Sequence, residues 1–301
     1  MPGICDGRVV IVTGAGRGIG RAHALAFAAE GARVVVNDLG VSLAGEDGSE
    51  SPAEQVVEEI RSAGGEAVTN GSDVADFTQA GELVKTAIDS FGGLDVVVNN
   101  AGFVRDRMFV STSEEEWDAV IRVHLKGHFA VTSNACAYWR AQSKAGETVD
   151  ARIINTSSGA GLQGSIGQSA YSAAKAGIAN LTLVQAAEMG RYGITSNAIA
   201  PSARTRMTEE VFADMMKKPE SGFDAMAPEN VSPLVVWLGS PESRDVTGRI
   251  FELAGGEVSL ADGWRSTTPV DKGARWNPDE LGAVVHELLQ KNPEPQKVYG
   301  A

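Results

Sequence analysis

The chain has 301 residues, of which 43% are hydrophobic, 22% charged and 6% aromatic, so a disordered or fibrous protein is excluded. Its 39 acidic and 26 basic residues give a net charge of −13, which argues against nucleic acid as a general partner because such a surface repels phosphates. With two cysteines, no signal-peptide pattern and no run near the roughly 20 apolar residues of a membrane span, we expect a cytoplasmic protein without a membrane span.

Short apolar, β-branched runs alternate along the chain with segments of helical periodicity. Runs of this kind without polar alternation indicate strands that are buried on both faces. We predict strands at residues 9–13, 33–37, 67–69, 94–99, 152–156, 195–200 and 249–253. We predict helices at residues 19–30, 53–63, 77–91, 114–136, 169–192 and 228–238. This alternation predicts an α/β fold with a doubly wound parallel sheet between two layers of helices.

Other segments are expected to lie outside this repeating unit. Residues 40–51 and 143–150 are polar and predicted to be exposed loops, and residues 204–222 are predicted to be a mobile substrate lid. We expect one domain at residues 1–262, followed by an extension at 263–301. That extension carries one amphipathic helix at 278–290, capped by Asn277, whose apolar stripe must be buried on this subunit or on a partner.

A glycine-rich loop joins the first predicted strand to the first helix, with the sequence Gly14-Ala15-Gly16-Arg17-Gly18-Ile19-Gly20. Glycines let a backbone turn tightly and approach a pyrophosphate, and a helix N-terminus offers it free N–H groups. The alternative is a tight turn that binds no ligand, but the position between a strand and a helix is the context that a dinucleotide site requires.

Asp38 ends the second strand, eighteen residues after Gly20. A carboxylate there can accept hydrogen bonds from both ribose hydroxyls of an adenosine and would repel a 2′-phosphate. We therefore predict NAD rather than NADP, although Arg17 argues mildly for the 2′-phosphate. The alternative for Asp38 is a solvated turn residue.

Two further strand ends carry residues suited to a cofactor crevice. Asp73-Val74 follows the third strand, where the carboxylate could accept from an adenine amino group or could cap a helix. Asn100, Ala101 and Gly102 follow the fourth strand; they suit a cofactor crevice but would also suit an ordinary turn.

Ser158, Tyr171 and Lys175 are the candidate catalytic residues. Ser158 lies at the end of the fifth predicted strand, and Tyr171 lies thirteen residues after it. Lys175 lies one helical turn after Tyr171. An ammonium group beside the phenol is expected to lower its pKa from about 10, which would let Tyr171 exchange a proton with an alcohol. Ser158 would hold the substrate oxygen.

These residues resemble the short-chain dehydrogenase/reductase family in order and spacing, over roughly residues 7–256. The resemblance implies a Rossmann fold, NAD(P)-dependent hydride transfer and a homodimer or homotetramer. It also implies that Tyr171 is the acid/base, that Lys175 is its electrostatic partner and ribose anchor, and that Ser158 is the substrate-oxygen ligand.

The sequence departs from the family pattern at two places. His124 stands where the family usually has an asparagine that supports a proton relay, so His124 either takes part in that relay or packs beside the site. Pro201-Ser202 replaces the usual Pro-Gly, and the backbone N–H groups near Ile199 to Thr205 are expected to meet the nicotinamide amide. No His, Cys and acid spacing indicates a metal site.

Several short strings are similar to one branch of the family, the (3R)-hydroxyacyl-CoA dehydrogenase modules of peroxisomal β-oxidation enzymes and their actinobacterial stand-alone relatives. The strings are Asn37-Asp38-Leu39-Gly40, Val123-His124-Leu125, Gly167-Gln168-Ser169-Ala170-Tyr171 and Arg206-Met207-Thr208-Glu209. This resemblance implies an acyl-CoA thioester as substrate. Its phosphates would need cations, for which Arg204, Arg206, Lys217 and Lys218 are candidates; the alternative for the two lysines is a solvated charged face. Two alternatives stay open: a free secondary alcohol as substrate, and a non-catalytic nucleotide-binding regulator.

Overall fold

A computed structural model describes residues 2–40, 51–204, 217–261, 263–264, 266–292 and 296–300 of the chain. Its strands form one eight-stranded sheet in the order β3-β2-β1-β4-β5-β6-β7-β8. The strands are β1 (Val9–Thr13), β2 (Arg33–Asn37), β3 (Glu66–Asn70), β4 (Val96–Asn99), β5 (Ala151–Thr156), β6 (Ile194–Ser202), β7 (Ile250–Ala254) and β8 (Glu257–Ala261). The first seven are parallel, which confirms the predicted doubly wound sheet, and β1 lies beside both β2 and β4, where the strand order reverses. In such sheets the ligand crevice opens at the carboxyl ends of the strands at this reversal.

The eighth strand is missing from the sequence prediction and runs antiparallel to β7. Its alternating sequence gives no buried run, because β8 lies at the sheet edge with most of its side chains exposed. A signal was present nonetheless: Gly255 and Gly256 separate the two strands, and a Gly-Gly pair favours a two-residue hairpin turn.

Helices cover both faces of the sheet. They are α1 (Gly18–Ala29), α2 (Pro52–Ser62), α3 (Phe77–Phe91), α4 (Glu114–Ile121), α5 (Gly127–Lys144), α6 (Gly159–Gln163), α7 (Ser169–Met189), α8 (Ser232–Gly239) and α9 (Leu281–Lys291). No helix within the described residues is long and apolar enough to span a membrane.

The sequence predicted one regular α-helix at residues 114–136, and this is wrong because a π turn interrupts the α-helical geometry. A π-helical segment, Arg122–Lys126, separates α4 from α5, and α5 continues to Lys144. A π turn holds one residue more than an α turn, and an apolar period of three and four does not reveal it.

Alternate side chains of the buried strands point to opposite faces of the sheet and pack into two hydrophobic cores. Val10 and Val12 of β1 pack on one face of the sheet and Val9 and Ile11 on the other. The first core includes Phe27 of α1, and the second includes Trp139 of α5. The predicted three-layer arrangement is thus confirmed.

The last described residues of the C-terminal extension contact the rest of the fold. In α9, Leu281, Val285 and Leu289 are 39%, 48% and 68% exposed, so the predicted apolar stripe is not buried within the described chain. Beyond this helix, Tyr299 forms a parallel bridge with Ser165, at the turn that precedes α7. Most of the predicted loop at 40–51 and of the predicted lid at 204–222 lies outside the described residues.

Candidate active site

The glycine-rich loop packs against the end of β4 with no room for side chains. A Cβ atom on Gly20 would lie 2.1 Å from the carbonyl oxygen of Gly14 and 2.5 Å from Nδ2 of Asn100. Gly14 and Gly18 have φ angles of +62° and +55°, in the left-handed region that favours glycine. The loop therefore presents bare backbone to the crevice, next to the partly buried Ile19.

The first turn of α1 begins at this loop. Arg17 is its N-cap residue, with extended backbone angles, and it provides no side-chain capping hydrogen bond. The Arg17 side chain itself is exposed. The positive end of the helix thus faces the side of the crevice where a phosphate could accept its N–H groups.

Asp38 lies against the same loop. Its Oδ2 accepts a hydrogen bond from the Gly16 N–H at 2.9 Å, and its Oδ1 accepts one from the Gly40 N–H at 2.8 Å. These two backbone donors fix the carboxylate beside the glycine loop at the carboxyl end of β2. Its position is the one that the sequence predicted for a ribose ligand.

The side chains of Asp73 and Val74 make contacts within the protein that the sequence did not predict. Asp73 accepts from the Ala75 N–H at 2.8 Å and forms an ion pair with Arg122. The capping alternative for Asp73 is wrong, because Asp76 caps α3 instead, accepting from two backbone N–H groups at 3.0 and 2.9 Å. Val74 is buried against Gly127.

The segment after β4 is bound tightly to β1. The Thr13 hydroxyl accepts hydrogen bonds from the backbone N–H groups of Asn100 and Ala101, at 2.9 and 3.1 Å. The Asn100 amide donates to the carbonyl oxygens of Thr13 and Gly14. A Cβ on Gly102 would lie 2.1 Å from Cε1 of His124, so this glycine gives the imidazole its space.

The structure brings Ser158, Tyr171 and Lys175 together at the carboxyl end of β5. Ser158 caps α6, accepting from the Ala160 N–H at 3.2 Å. The Nζ of Lys175 lies 5.4 Å from the centre of the Tyr171 ring and donates to the Thr156 carbonyl at 2.6 Å. The Ser157 hydroxyl donates to the Lys175 carbonyl at 2.8 Å, which ties α7 to β5.

The pKa values differ from the sequence expectation. Burial raises the pKa of Tyr171, the hydrogen bond with Ser158 lowers it, and the Asp106 carboxylate raises it. Burial also lowers the pKa of Lys175 to about 7. The prediction of a lowered phenol pKa is therefore wrong for the protein side chains by themselves: desolvation disfavours the charged tyrosinate, and it disfavours the charged ammonium of Lys175 as well.

His124 lies in the π-helical segment and is buried against Tyr171. Its ring meets that of Tyr171 edge-on, with centroids 5.2 Å apart and an angle of 90°. Its Nε2 lies 3.0 Å from the backbone nitrogen and 2.6 Å from the carbonyl oxygen of Phe103, while Nδ1 has no hydrogen-bond partner among the described residues. Burial, and then the nearby Lys175, hold its pKa well below the usual 6.5, so the imidazole is neutral.

Three neighbours of this site were not found from the sequence. His128, one turn after His124, is buried and accepts from the Thr156 N–H at 3.4 Å. Gln168 donates to both oxygens of the half-buried Asp106, each at 3.1 Å. The helical spacing of the two histidines could have revealed His128, but no local pattern joins Asp106 to a residue 62 positions away.

The predicted nicotinamide and phosphate ligands lie in β6 or follow it along the chain. Pro201 is partly buried in that strand, whereas Thr205 and Arg206 lie outside the described residues. Arg204 forms an ion pair with Asp224, both side chains being less than one-fifth exposed. It is therefore not the open phosphate ligand that we expected. Lys217 and Lys218 are exposed.

The described residues contain no group of three or more His, Cys, Asp or Glu side chains that could hold a metal ion. Cys5 is buried and Cys136 is partly buried, and both are free thiols.

Comparison with known proteins gives the same family over most of the chain. The chain is 44% identical over 297 residues to the hydroxyacyl-CoA dehydrogenase ChsB1 of Mycobacterium tuberculosis, covering 96% of this chain and 91% of that one. It is 50% identical over 286 residues to the peroxisomal multifunctional enzyme type 2 of Mus musculus, covering 95% of this chain but only 35% of that enzyme. The chain thus spans about a third of the length of that multifunctional relative.

A solved structure and a family match complete the comparison. A short chain dehydrogenase from Mycobacterium avium is 68% identical in its crystal structure, with a TM-score of 0.90 and coverage of 99% of this chain and all of the other. The short chain dehydrogenase family itself matches residues 8–216. This chain, with its doubly wound sheet and its grouped serine, tyrosine and lysine, belongs to the short chain dehydrogenase family.

Proposed function

We propose that this protein is an NAD-dependent oxidoreductase that interconverts (3R)-3-hydroxyacyl-CoA and 3-oxoacyl-CoA. The observation that carries the proposal is the grouping of Ser158, Tyr171 and Lys175 beside the glycine-rich loop at the carboxyl end of the sheet. The names of two relatives, a hydroxyacyl-CoA dehydrogenase and a peroxisomal multifunctional enzyme, support the acyl-CoA class of substrate.

The residues present fit a dinucleotide cofactor. The loop offers backbone that a Cβ on Gly20 would obstruct, and Asp38 is held beside it by the Gly16 N–H. Asp38 would accept the ribose hydroxyls, and its charge would repel a 2′-phosphate, which favours NAD. Asp73, Val74, Asn100, Ala101, Gly102, Pro201 and Thr205 complete the proposed cofactor ligands.

In the oxidation direction, Ser158 and Tyr171 would both contact the substrate hydroxyl. When bound, the cofactor supplies an acceptor for the hydride that leaves the carbinol carbon. Tyr171 acts as the tyrosinate, which Lys175 stabilises, and it takes the hydroxyl proton while Ser158 holds the oxygen as its negative charge grows. In reduction, Tyr171 returns the proton to the oxygen.

The neutral His124 would orient Tyr171 through their edge-on contact, and its free Nδ1 could hold a water for a proton relay. His124 cannot carry the proton as a stable imidazolium at neutral pH, because burial holds its pKa well below 6.5. In a relay, His124 would therefore accept one proton as it releases another, so that its ring stays neutral.

We also propose that the protein is a homodimer or homotetramer in the cytoplasm. Apolar side chains on α5 and α7 support an oligomer, since Phe129, Leu183 and Val184 are 49%, 42% and 44% exposed. The two free thiols suit a reducing compartment. Light scattering on the purified protein tests the oligomer, and two or four copies per particle are expected.

A spectrophotometric NADH assay tests the activity. It compares (3R)- and (3S)-3-hydroxyacyl-CoA esters, the corresponding free acids and free secondary alcohols, each with NAD and with NADP. Turnover of the (3R)-thioester with NAD, and little of the free acid, is expected. Preference for a free alcohol would support the first alternative, a dehydrogenase of unesterified substrates. NADH binding without turnover of any compound would support the non-catalytic regulator, for which the grouped catalytic side chains offer no reason.

A further inference from the structure

The last described residues of the chain pair with the backbone beside the active site. Tyr299 accepts a hydrogen bond from the Ile166 N–H at 3.0 Å and donates its own N–H to the Gly164 carbonyl at 3.2 Å. These bonds form a short parallel bridge. We name residues 298–300 the C-terminal strap.

The strap places an aromatic ring against the residue that follows Ser158. A Cβ atom on Gly159 would lie 2.7 Å from the Tyr299 hydroxyl oxygen and 2.9 Å from Cε2 of its ring. Only a glycine therefore leaves room for this ring. Tyr299 is 45% exposed, and the partial burial of its side chain raises the pKa of the phenol.

The turn beneath the strap is held from its other side as well. The Arg107 N–H donates to the Gly167 carbonyl at 2.8 Å, and the Gln168 amide binds Asp106. This turn leads directly into α7, which carries Tyr171. The strap thus contacts both the residue after Ser158 and the turn before the helix of Tyr171.

Charge and polarity indicate which part of a substrate would meet the strap. The negative charge of Glu252 also raises the pKa of the Tyr299 phenol, so an anionic group is disfavoured there. Ile166 and Val298 are 49% and 40% exposed and give the strap an apolar edge. An uncharged acyl chain fits such a surface, and the phosphates of CoA do not.

We propose that the C-terminal strap forms the acyl-side wall of the substrate pocket and that Tyr299 is a specificity-determining residue for the acyl group. The inference rests on the proposed acyl-CoA dehydrogenase function. In it, the acyl chain beyond the carbinol carbon packs against the Tyr299 ring, while the thioester and the CoA phosphates lie on the opposite side of Ser158.

Kinetics of three full-length variants test the role of the ring. Tyr299→Ala removes it, Tyr299→Phe keeps it without the hydroxyl, and Lys297→Ala is a matched control at an exposed side chain of the same segment. Tyr299→Ala should raise KM about tenfold for the acyl-CoA that the wild type prefers, with kcat and the NADH dissociation constant within about twofold. The order of preference among short, long and branched acyl groups should change too. Tyr299→Phe and Lys297→Ala should resemble the wild type.

Unchanged KM and unchanged acyl preference in Tyr299→Ala would overturn the proposal, and so would an equal rise of KM in Lys297→Ala. Hydrogen exchange adds a measurement that needs no substrate. Tyr299→Pro removes the N–H that binds Gly164, so the Ile166 amide should exchange about tenfold faster or more; unchanged exchange would show that the strap is not paired in solution. If the wild type oxidises free alcohols but no thioester, the proposed function fails, and the same KM comparison with the alcohol still tests the wall.

Discussion

Replacing the buried Lys175 with Met should make the ligand-free protein more stable at pH 6, while it stops turnover. Lys175 is 2% exposed, and burial lowers its pKa from the ordinary 10.5 to about 7. Between these two values the unfolded chain holds a proton that the folded protein has released. The wild type therefore gains stability as pH rises through this window, and the full penalty of the buried ammonium is present below pH 7.

The size of the effect follows from this shift and from one hydrogen bond. At about 1.4 kcal/mol for each pH unit, the shift from 10.5 to about 7 corresponds to at most about 5 kcal/mol at pH 6. Methionine keeps an apolar chain of similar length but leaves the Thr156 carbonyl without its donor, at a cost of about 1–3 kcal/mol. The variant should thus be more stable by about 2–4 kcal/mol at pH 6. Near pH 10, where about 1 kcal/mol of the ammonium penalty remains, it should be less stable by up to about 2 kcal/mol.

Differential scanning calorimetry of both proteins between pH 6 and pH 10 measures this difference. For a chain of this size, about 2 °C of Tm corresponds to 1 kcal/mol, so a rise of about 4–8 °C is expected at pH 6, with the sign reversed near pH 10. Lys126→Met, at an exposed lysine of the π-helical segment, is the control and should show no such pH dependence. A Tm difference between Lys175→Met and the wild type that stays constant over this range would refute the reasoning.

Substitutions at three other residues test the proposed roles in the site. Tyr171→Phe should reduce kcat by about a thousandfold or more, because it removes the acid/base, with the NADH dissociation constant nearly unchanged in a fluorescence titration; substantial residual turnover would contradict the assignment. Asp38→Ala should lower the ratio of kcat/KM for NAD over NADP by about tenfold or more, since like charges no longer oppose the 2′-phosphate, and an unchanged ratio would remove Asp38 from ribose recognition. His124→Leu should reduce kcat by about tenfold to a hundredfold, and His124→Asn should restore part of that loss by supplying a polar group. Equal losses in the two His124 variants would identify a packing role.

The sheet could be predicted from sequence because its inner strands are buried on both faces. Such strands favour apolar, β-branched residues on both faces, and the runs at β1, β2 and β4 stand out for this reason. The exposed edge strand β8 is under no such demand, so it lacks the pattern. The same physical difference explains the success at the centre and the miss at the edge.

The site could be predicted where its chemistry lies in short strings. The glycine loop and the spacing from Tyr171 to Lys175 depend on local backbone geometry, which sequence encodes directly. The direction of the tyrosine's pKa shift could not be predicted in this way, because it depends on how much water the whole fold removes from the phenol. The contact of Tyr299 with Gly159 joins residues 140 positions apart, and no periodicity marks it.

The π-helical segment at Arg122–Lys126 changes the phase of the helix that contains it. One additional residue in a turn rotates everything that follows by about 100° relative to a continuous α-helix. His124 can therefore face Tyr171 while Ala135 and Trp139, further along, still pack into the core beneath the sheet. A regular α-helix through the same residues would turn the side chains after the segment by that angle, so His124 and Trp139 could not both keep these contacts.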